Sequence, residues 1–326
     1  VWARGGDREY PVIVGPGVRG LDVGAPGRAF VVTDSGVPSE WLPGAAHAVP
    51  AGEEHKTLAT AESLWRAMAR AGVSRGDHVR AVGGGVVTDL AGFCAATYQR
   101  GIPVVQVPTT LLAMVDAAIG GKTGVDLPEA KNYVGAYHQP LAVLADVETL
   151  STLPRERHAE GYAEVLKTAL IAGGRLWERV RAGDPVDDET IFACARTKVR
   201  VVAADERDAG GRQVLNLGHT VGHALETVSD YALSHGAAVG LGLLAALRLS
   251  GQEELRREVA ELLAAQDLPT AVEADADAVL EVVRRDKKRT GGDVPFVLVA
   301  APGDVSHGHA VGEDAVRAAV EELRRS

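Results

Sequence analysis

The sequence predicts an α/β fold: an N-terminal, Rossmann-like, doubly wound parallel sheet followed by a mainly helical, metal-binding C-terminal domain. Three observations carry the prediction. Short apolar runs alternate with helical patterns in the first half, a glycine-rich turn follows one of those runs, and helical periodicity dominates after about residue 150. The length fits two domains, which we predict at residues 1–150 and 151–326.

The first domain is predicted from apolar runs that stop at turn residues such as Gly15 and Pro108. Between these runs, residues 57–71 carry apolar side chains at helical spacing and end before Gly72, which predicts a helix. The predicted strands are 11–14, 29–33, 78–82 and 104–107.

The second domain is predicted from helical periodicity. A late apolar run at 294–299 predicts one strand, and a closing helix is expected from Glu313. With one domain of each kind, we expect the active site in the cleft between them. The predicted helices are 161–172, 216–228, 235–249 and 252–265.

Charge and composition exclude several classes of protein. The 326 residues carry a formal net charge of −10, whereas nucleic-acid and anionic-membrane binding need a broad basic field. No apolar run reaches the roughly 18 residues of a transmembrane helix and no secretory leader is visible, so we expect a cytoplasmic protein. The two cysteines form no disulfide framework. Only seven of the 34 basic residues are lysines.

A glycine-rich turn, Gly83-Gly84-Gly85, follows a predicted strand and opens a predicted helix. Glycines let the backbone approach a pyrophosphate, and the amide groups at a helix N-terminus favour anions. Thr88 stands where the third glycine of a dinucleotide fingerprint would be, so a plain tight turn remains the alternative. Hydroxyl and acidic residues after other strands, Asp34, Thr109 and Thr110, favour a nucleotide because they could bond ribose or phosphate oxygens.

Two histidines, His219 and His223, lie one helical turn apart, and His235 follows twelve residues later. Histidines at this spacing can share a metal ion, although each alone is more often a core residue. Thr220 stands where a zinc peptidase has its general-base glutamate, which argues against that class. Glu164, a carboxylate on an otherwise apolar helix, could complete the ligand set.

These motifs, taken in their order along the chain, resemble the 3-dehydroquinate synthase family of the sugar-phosphate cyclase superfamily. The resemblance extends from about Arg8 to the C-terminus, and several motifs in one order are more specific than any one alone. The motifs are GGGVVTDLAG at 83–92, PTTLL at 108–112, Asp116 with GGKTG at 120–124, Lys131-Asn132, AEVLK at 163–167 and LNLGHTVGHALE at 215–226.

The resemblance implies a lyase that uses tightly bound NAD and a divalent metal, zinc or alternatively cobalt. In that family NAD⁺ transiently oxidises 3-deoxy-D-arabino-heptulosonate 7-phosphate, a sugar phosphate of the shikimate pathway. β-Elimination then releases phosphate, the ketone is reduced again, and an aldol step closes the ring to 3-dehydroquinate. The resemblance also implies a homodimer, since Arg100 matches the residue that reaches a neighbouring subunit's substrate phosphate.

By resemblance, Glu164, His219 and His235 hold the metal, which leaves coordination positions open for substrate. Arg212 sits where the family binds the substrate carboxylate. Further substrate-binding or catalytic positions are Lys122, Lys131, Asn132, Lys167, Asn216, His223 and either Lys287 or Lys288. The implied NAD-binding positions are Glu53, Lys56, Gly84, Gly85, Asp89, Thr109, Thr110, Lys122, Lys131, Thr149 and Thr152.

Two departures from the family stand out. Ala237 replaces the usual glutamate two residues after the third metal ligand, so an acid that tunes His235 is expected to be absent. Ala130 replaces a glycine before Lys131, a minor change. Six of the seven lysines fall in motifs assigned to substrate or NAD, and Lys198 has no predicted role.

Alternatives remain at this point. Sister cyclases of secondary metabolism share the scaffold; Arg212 with Asn216 favours a substrate that has a carboxylate, but an aminated analogue such as the aminodehydroquinate precursor would keep that arginine. A metal-dependent polyol or glycerol-phosphate dehydrogenase would not need Lys122, Lys131 and Lys167. A non-catalytic metal-stabilised protein would leave these polar groups unexplained.

Overall fold

The computed structural model describes residues 1–5, 8–208, 210–290 and 295–324, without the side chains of residue 8 and of residues 286–290. The chain forms two compact units: Val1–Pro154 with Asp187–Arg207, and Arg155–Val186 with Asp208–Ser326. The strands are β1 Trp2–Gly5, β2 Arg8–Gly15, β3 Ala29–Asp34, β4 His47–Val49, β5 His78–Gly83, β6 Val104–Pro108, β7 Lys122–Leu127, β8 Ala130–Tyr137, β9 Ala142–Asp146, β10 Phe296–Ala301 and β11 Asp304–His309. The helices are α1 Leu58–Arg70, α2 Gly85–Thr97, α3 Arg155–Ala172, α4 Gly174–Arg181, α5 Asp188–Ala204, α6 His219–Val228, α7 His235–Leu249, α8 Glu253–Ala264, α9 Ala276–Thr290 and α10 Glu313–Glu322.

The first unit is built on a seven-stranded sheet of order β1-β2-β9-β6-β5-β3-β4. Every pairing in it is parallel except that of β1 with β2. All residues of β6 and β9 are buried, as expected for parallel strands covered on both faces. The predicted α/β fold with a mainly parallel sheet is therefore confirmed.

The two faces of this sheet are covered differently. Helices α1, α2 and α5 pack on the face that carries Val79 and Val143. On the opposite face, Val105 and its neighbours pack against side chains of irregular segments, including Val18 and Leu42. Helix α5 contributes Ala195 and Val199 to the first face. The segment 187–207 thus belongs to the first unit, which differs from a single boundary near residue 150, because apolar packing rather than sequence order decides the unit.

The second unit consists of helices α3, α4 and α6–α10 with the hairpin β10–β11. Helix α7 is its centre: residues 236–247 are all buried, so this helix is apolar on every side. The Ser234 side chain caps α7 by accepting a hydrogen bond from the Ala237 amide. Among the described residues, no helix combines the length and the apolar character needed to cross a membrane.

Several predicted bounds shift for local reasons. The helix predicted at 216–228 begins at His219, because Gly218 adopts a left-handed conformation with φ of 79°. The helix predicted at 57–71 spans Leu58–Arg70, and Thr57 is its cap. The late strand runs from Phe296 to Ala301, and Val294 lies outside the described residues.

Candidate active-site residues of the two units

Glu164, His219 and His235 come together in the second unit. They lie on α3, α6 and α7, and one potential ligand atom from each lies within 4.8 Å of the others. Oε1 of Glu164 is 3.5 Å from Nε2 of His219 and 3.5 Å from Nε2 of His235. The structure therefore brings the three residues into one cluster.

Glycines allow the three helices to approach closely enough for this cluster. A Cβ atom on Gly242 of α7 would overlap the carbonyl oxygen of Gly218, just before α6, and one on Gly222 would lie 2.9 Å from the Ala238 carbonyl oxygen. A Cβ atom on Gly236 would likewise overlap the backbone of Glu160 on α3. Backbone contact at these points sets the spacing of the ligand-bearing helices.

Hydrogen bonds orient both imidazole rings. Nδ1 of His219 lies 3.2 Å from the Leu217 carbonyl oxygen, and Nδ1 of His235 lies 2.7 Å from Oε1 of Glu226. An oxygen acceptor at Nδ1 favours the tautomer that carries its proton there. In that tautomer the lone pair of Nε2 faces Glu164, where a metal ion would bind.

The donor set fits a tetrahedral metal ion. Both carboxylate oxygens of Glu164 are buried without a hydrogen-bond partner among the described residues, while its Oε2 forms an ion pair with Lys167. Ligands about 2.0–2.1 Å from a tetrahedral zinc ion lie about 3.3 Å apart, close to the 3.5 Å separations found here. Three protein ligands of this kind are typical of a catalytic rather than a structural zinc site.

Electrostatics favour an ionised Glu164 and a neutral His219, the forms that bind a metal, and place positive charge on His235. Burial raises the pKa of Glu164, but the Lys167 ammonium and the two histidines outweigh it and hold that pKa well below its usual value. Burial and the Lys167 charge lower the pKa of His219 to about 3. Burial opposes the charge on His235, yet its interactions with the carboxylates of Glu164 and Glu226 raise its pKa to about 10. A cation is thus favoured between these two carboxylates.

Other predicted substrate residues also belong to the second unit. The exposed His223 ring is 5.1 Å from the His219 ring and 6.2 Å from the His235 ring, centroid to centroid. Arg212, 2% exposed, and the exposed Asn216 lie on the 3₁₀ helix Gly211–Asn216 that precedes α6. The side chains of Lys287 and Lys288 lie outside the described residues.

The glycine turn of the first unit connects β5 to α2, as predicted. Gly84 and Gly85 have no positive φ, so they are needed for close approach and not for a left-handed turn. A Cβ atom on Gly84 would lie 3.0 Å from the Thr110 side chain. The Thr109 amide donates a 2.9 Å hydrogen bond to the Gly83 carbonyl oxygen. Both threonines therefore lie beside the N-terminus of α2.

A buried lysine, Lys56, lies among three carboxylates. Its Nζ is 2.6 Å from Glu53, 3.4 Å from Asp89 and 3.8 Å from Asp126. Although burial opposes it, the charges of Asp89 and Glu53 raise the pKa of Lys56. Burial raises the pKa of Asp89 to about 6 against the pull of Lys56. The structure thus unites three of the predicted NAD-binding residues, Glu53, Lys56 and Asp89.

The hairpin β7–β8 carries three more predicted residues. Lys122 is exposed on β7, whereas the half-buried Lys131 and the exposed Asn132 follow on β8. Asn132 is left-handed, with φ of 54°, and its amide donates a 2.6 Å hydrogen bond to Oδ1 of Asp126. Asp126 therefore contacts both Asn132 and the Lys56 cluster.

Three remaining predicted residues lie elsewhere in the first unit. The Thr149 hydroxyl donates to the Asp146 carbonyl oxygen, and the Thr152 hydroxyl donates to the Thr149 carbonyl oxygen and accepts from Trp41. Arg100 is exposed, with φ of 70°, in the 3₁₀ helix after α2. The structure brings none of these three into the Lys56 cluster.

Sequence reasoning missed two residues with evident contacts. Lys198, which had no predicted role, donates a 2.6 Å hydrogen bond to the Asp116 carbonyl oxygen and forms an ion pair with its carboxylate. No local signal in the sequence marked Lys198, because the helix around it also carries Arg196 and Arg200. Glu226 was quoted only as part of a motif, although its spacing of seven residues from His219 places both on one face of α6.

Comparison with known proteins identifies the chain's relatives. Residues 46–160 match the model of the 3-dehydroquinate synthase N-terminal domain, and residues 161–289 match that of the C-terminal domain. The 3-dehydroquinate synthase of Symbiobacterium thermophilum is 44% identical, over 98% of this chain and 99% of the relative.

Two solved structures are also similar. A 2-epi-5-epi-valiolone synthase from Streptomyces hygroscopicus subsp. jinggangensis 5008, with NAD⁺ and Zn²⁺ bound, is 26% identical with a TM-score of 0.89 over 98% of each chain. A 2-deoxy-scyllo-inosose synthase complexed with carbaglucose-6-phosphate, NAD⁺ and Co²⁺ is 26% identical with a TM-score of 0.86 over 99% of each chain. The two domain matches and the 44% identity show that this chain belongs to the 3-dehydroquinate synthase family.

Proposed function

We propose that the chain converts 3-deoxy-D-arabino-heptulosonate 7-phosphate to 3-dehydroquinate and inorganic phosphate, as a phosphate lyase of the shikimate pathway. The observation that carries the proposal is the buried carboxylate of Glu164 facing Nε2 of His219 and Nε2 of His235, each at 3.5 Å. The near-full-length similarity to a 3-dehydroquinate synthase supports the choice of reaction.

The proposed cofactors are NAD and one divalent metal ion, zinc or cobalt. Structural relatives hold NAD⁺ with Zn²⁺ or Co²⁺, and the donor set of Glu164, His219 and His235 fits such an ion. When bound, NAD⁺ and the metal supply a transient oxidation of one substrate alcohol and polarisation of the resulting carbonyl.

Residues of the second unit are proposed to hold the substrate beside the metal. Arg212 offers a planar guanidinium for a bidentate grip on the substrate carboxylate, and its burial excludes competing water. The Lys167 ammonium, in contact with Oε2 of Glu164, is a compact donor for a substrate oxygen. His223 and Asn216 are exposed, and we propose that they exchange protons or hydrogen bonds with substrate hydroxyls.

Residues of the first unit are proposed to hold NAD and the charged end of the substrate. Glu53 and Asp89 suit the ribose hydroxyls as acceptors, and the amides of Gly84 and Gly85 suit the pyrophosphate at the N-terminus of α2. Thr109, Thr110, Thr149 and Thr152 are proposed as further hydroxyl contacts to NAD. Lys122, Lys131 and Asn132 on the β7–β8 hairpin are proposed to bind phosphate or hydroxyl groups.

We further propose a cytoplasmic homodimer in which Arg100 reaches the phosphate of a substrate held by the partner subunit. The exposed Arg100 supports this, because its left-handed backbone is unfavourable for a residue other than glycine. Such conformations occur most often at functional sites. Co-expression of an Arg100→Ala subunit with an inactive Lys167→Ala subunit tests it. Recovery of part of the activity is expected, and no recovery would contradict a shared site.

The experiment that tests the main proposal measures phosphate release and NADH together. With the seven-carbon keto acid phosphate, purified protein loaded with NAD⁺ and zinc should release one phosphate per turnover without accumulating NADH. Arg212→Ala should raise KM for this substrate strongly, because the carboxylate loses its partner. Steady NADH formation from a polyol would instead favour the dehydrogenase alternative, and equal turnover of a substrate without the carboxylate would favour a sister cyclase.

A further inference from the structure

The carboxylate of Glu226 lies directly behind the third proposed metal ligand. Glu226, 3% exposed on α6, accepts a hydrogen bond from His235 with 2.7 Å between Oε1 and Nδ1. Glu226 and His219 are seven residues apart on α6, so one helix face offers both a ligand and an acceptor for the ligand on α7.

The two imidazole ligands are held by acceptors of different strength. Nδ1 of His219 meets the neutral carbonyl oxygen of Leu217 at 3.2 Å, whereas Nδ1 of His235 meets a carboxylate. A hydrogen bond to a charged acceptor is shorter and about twice as strong as one between neutral groups. His235 is also the more exposed ring of the two, at 34% against 13%, so it has more need of a fixed orientation.

Residue 237 supplies no acid for this purpose. Ala237 is buried in the first turn of α7, and its amide is bound to the Ser234 hydroxyl. The acid expected from the resemblance is thus absent at that position, but a carboxylate reaches the same imidazole from α6. The expectation that His235 lacks an acidic partner is wrong for this structure.

We propose that Glu226 is a positioning residue for the metal site, holding the proton of His235 on Nδ1 and so presenting Nε2 to the metal beside Glu164. This inference rests on the proposed function, since it assumes that Glu164, His219 and His235 bind a divalent ion. Acceptors behind metal-bound histidines fix ring orientation and raise ligand basicity.

The first test compares zinc affinity in Glu226→Gln and in a matched control, Glu322→Gln. Glu322 is a carboxylate of the same unit that pairs with Arg248 and Arg256. Competition with a chelator should show zinc binding weakened about 10- to 100-fold in Glu226→Gln and unchanged in Glu322→Gln. The visible absorption of the Co²⁺-loaded protein should also change in Glu226→Gln alone. Equal affinity and an unchanged Co²⁺ spectrum would overturn the proposal.

The second test needs no substitution at Glu226, so it remains decisive if that variant fails to fold. In wild-type protein labelled with ¹⁵N-histidine and loaded with ¹¹³Cd²⁺, the metal coupling should fall on Nε2 of His235 and the proton on Nδ1. Metal on Nδ1 would overturn the role of Glu226 while leaving the metal site intact. Wild-type protein that binds neither zinc nor cadmium would instead overturn the metal site, and the role of Glu226 with it.

Discussion

Lys167 in the second unit and Lys56 in the first are both buried against carboxylates, but the two clusters are constructed differently. In the second unit Lys167 and Glu164 lie three residues apart on α3, and the Glu164 side chain has no exposed surface. In the first unit Lys56 gathers Glu53, Asp89 and Asp126 from three separate elements, and each of those carboxylates keeps some exposure.

The difference lies in what fixes the geometry. Helices in backbone contact, at Gly242 and Gly236, hold the cluster of the second unit. The cluster of the first unit depends on element ends: a 3₁₀ turn, the first turns of α2 and a hairpin. We infer that the second unit is preorganised for a metal, which demands ligand positions within a few tenths of an ångström, whereas the first suits a larger ligand bound through many weaker contacts.

The largest effect is expected from His219→Ala. Loss of an imidazole ligand should remove bound zinc and phosphate release altogether, a greater loss than the about 10- to 100-fold cost of removing an outer partner. Metal content and phosphate release measure it, with His307→Ala as control because His307 lies in the same unit on β11, outside the cluster. NAD binding should persist, because it is assigned to the first unit. Retained stoichiometric zinc would contradict the ligand assignment.

The same substitution in both clusters compares them directly. Lys167→Arg should lower kcat by about 100- to 1000-fold, because a wider guanidinium cannot occupy the compact site against Glu164. Lys56→Arg should weaken NAD binding by less than about 10-fold, since Glu53 and Asp89 can accept a guanidinium at the partly exposed side.

Steady-state kinetics measure the loss of kcat in both variants, and NAD titration measures their loss of NAD affinity. Equal losses in both variants would show that the two lysine sites are equally rigid, and the contrast between them would fail.

Helix contact in the second unit is tested by Gly242→Ala. The added methyl would overlap the Gly218 carbonyl oxygen, and such overpacking typically costs about 1–3 kcal/mol of unfolding free energy. Gly312→Ala is the control, because a Cβ atom there meets open space. Urea unfolding and zinc affinity should both worsen only in Gly242→Ala. A variant that loses stability but keeps full zinc affinity would show that helix spacing does not set ligand geometry.

Elements with strong local signals could be predicted from the sequence. The bounds predicted for α7 coincide with His235–Leu249, because Ser234 caps its start and Ser250-Gly251 follows its end. The strand, glycine turn and helix around Gly84 follow equally from local chemistry.

The missed features depend on distant parts of the chain. Lys198 meets Asp116 across 82 residues, because α5 returns to pack on the first sheet. A local sequence pattern predicts that a helix forms, but it does not predict which part of the fold the helix packs against. The resemblance places an acid for His235 at position 237, where this chain has Ala237, so none was expected; helix packing supplies one from Glu226 instead.

The smallest effect, and the one that depends on pH, is expected at Asp89 in the first unit. Burial raises the pKa of Asp89 from its ordinary 3.8 to about 6, so the folded state binds this proton more tightly than the unfolded state. Below about pH 4 the Asp89 carboxyl is protonated in both states and does not destabilise the fold. As pH rises from about 4 to 6, its ionisation lowers the free energy of unfolding by an increasing amount. Asp89→Asn removes that cost, so its stability relative to wild type should increase across this window while its NAD affinity falls.

Asp77 provides a control of opposite sign in the same unit. Hydrogen bonds from the Arg28 and Ser74 amides lower the pKa of Asp77 to about 2, so its stabilisation is complete above about pH 4 and is lost only below it. Urea unfolding at pH 4, 5, 6 and 7 measures the unfolding free energy of each variant relative to wild type. This difference should stay constant for Asp77→Asn and should rise with pH for Asp89→Asn. A difference that does not change with pH for Asp89→Asn would mean that Lys56 fully compensates the buried charge of Asp89. The charges of the first cluster would then be compensated as completely as those of the second.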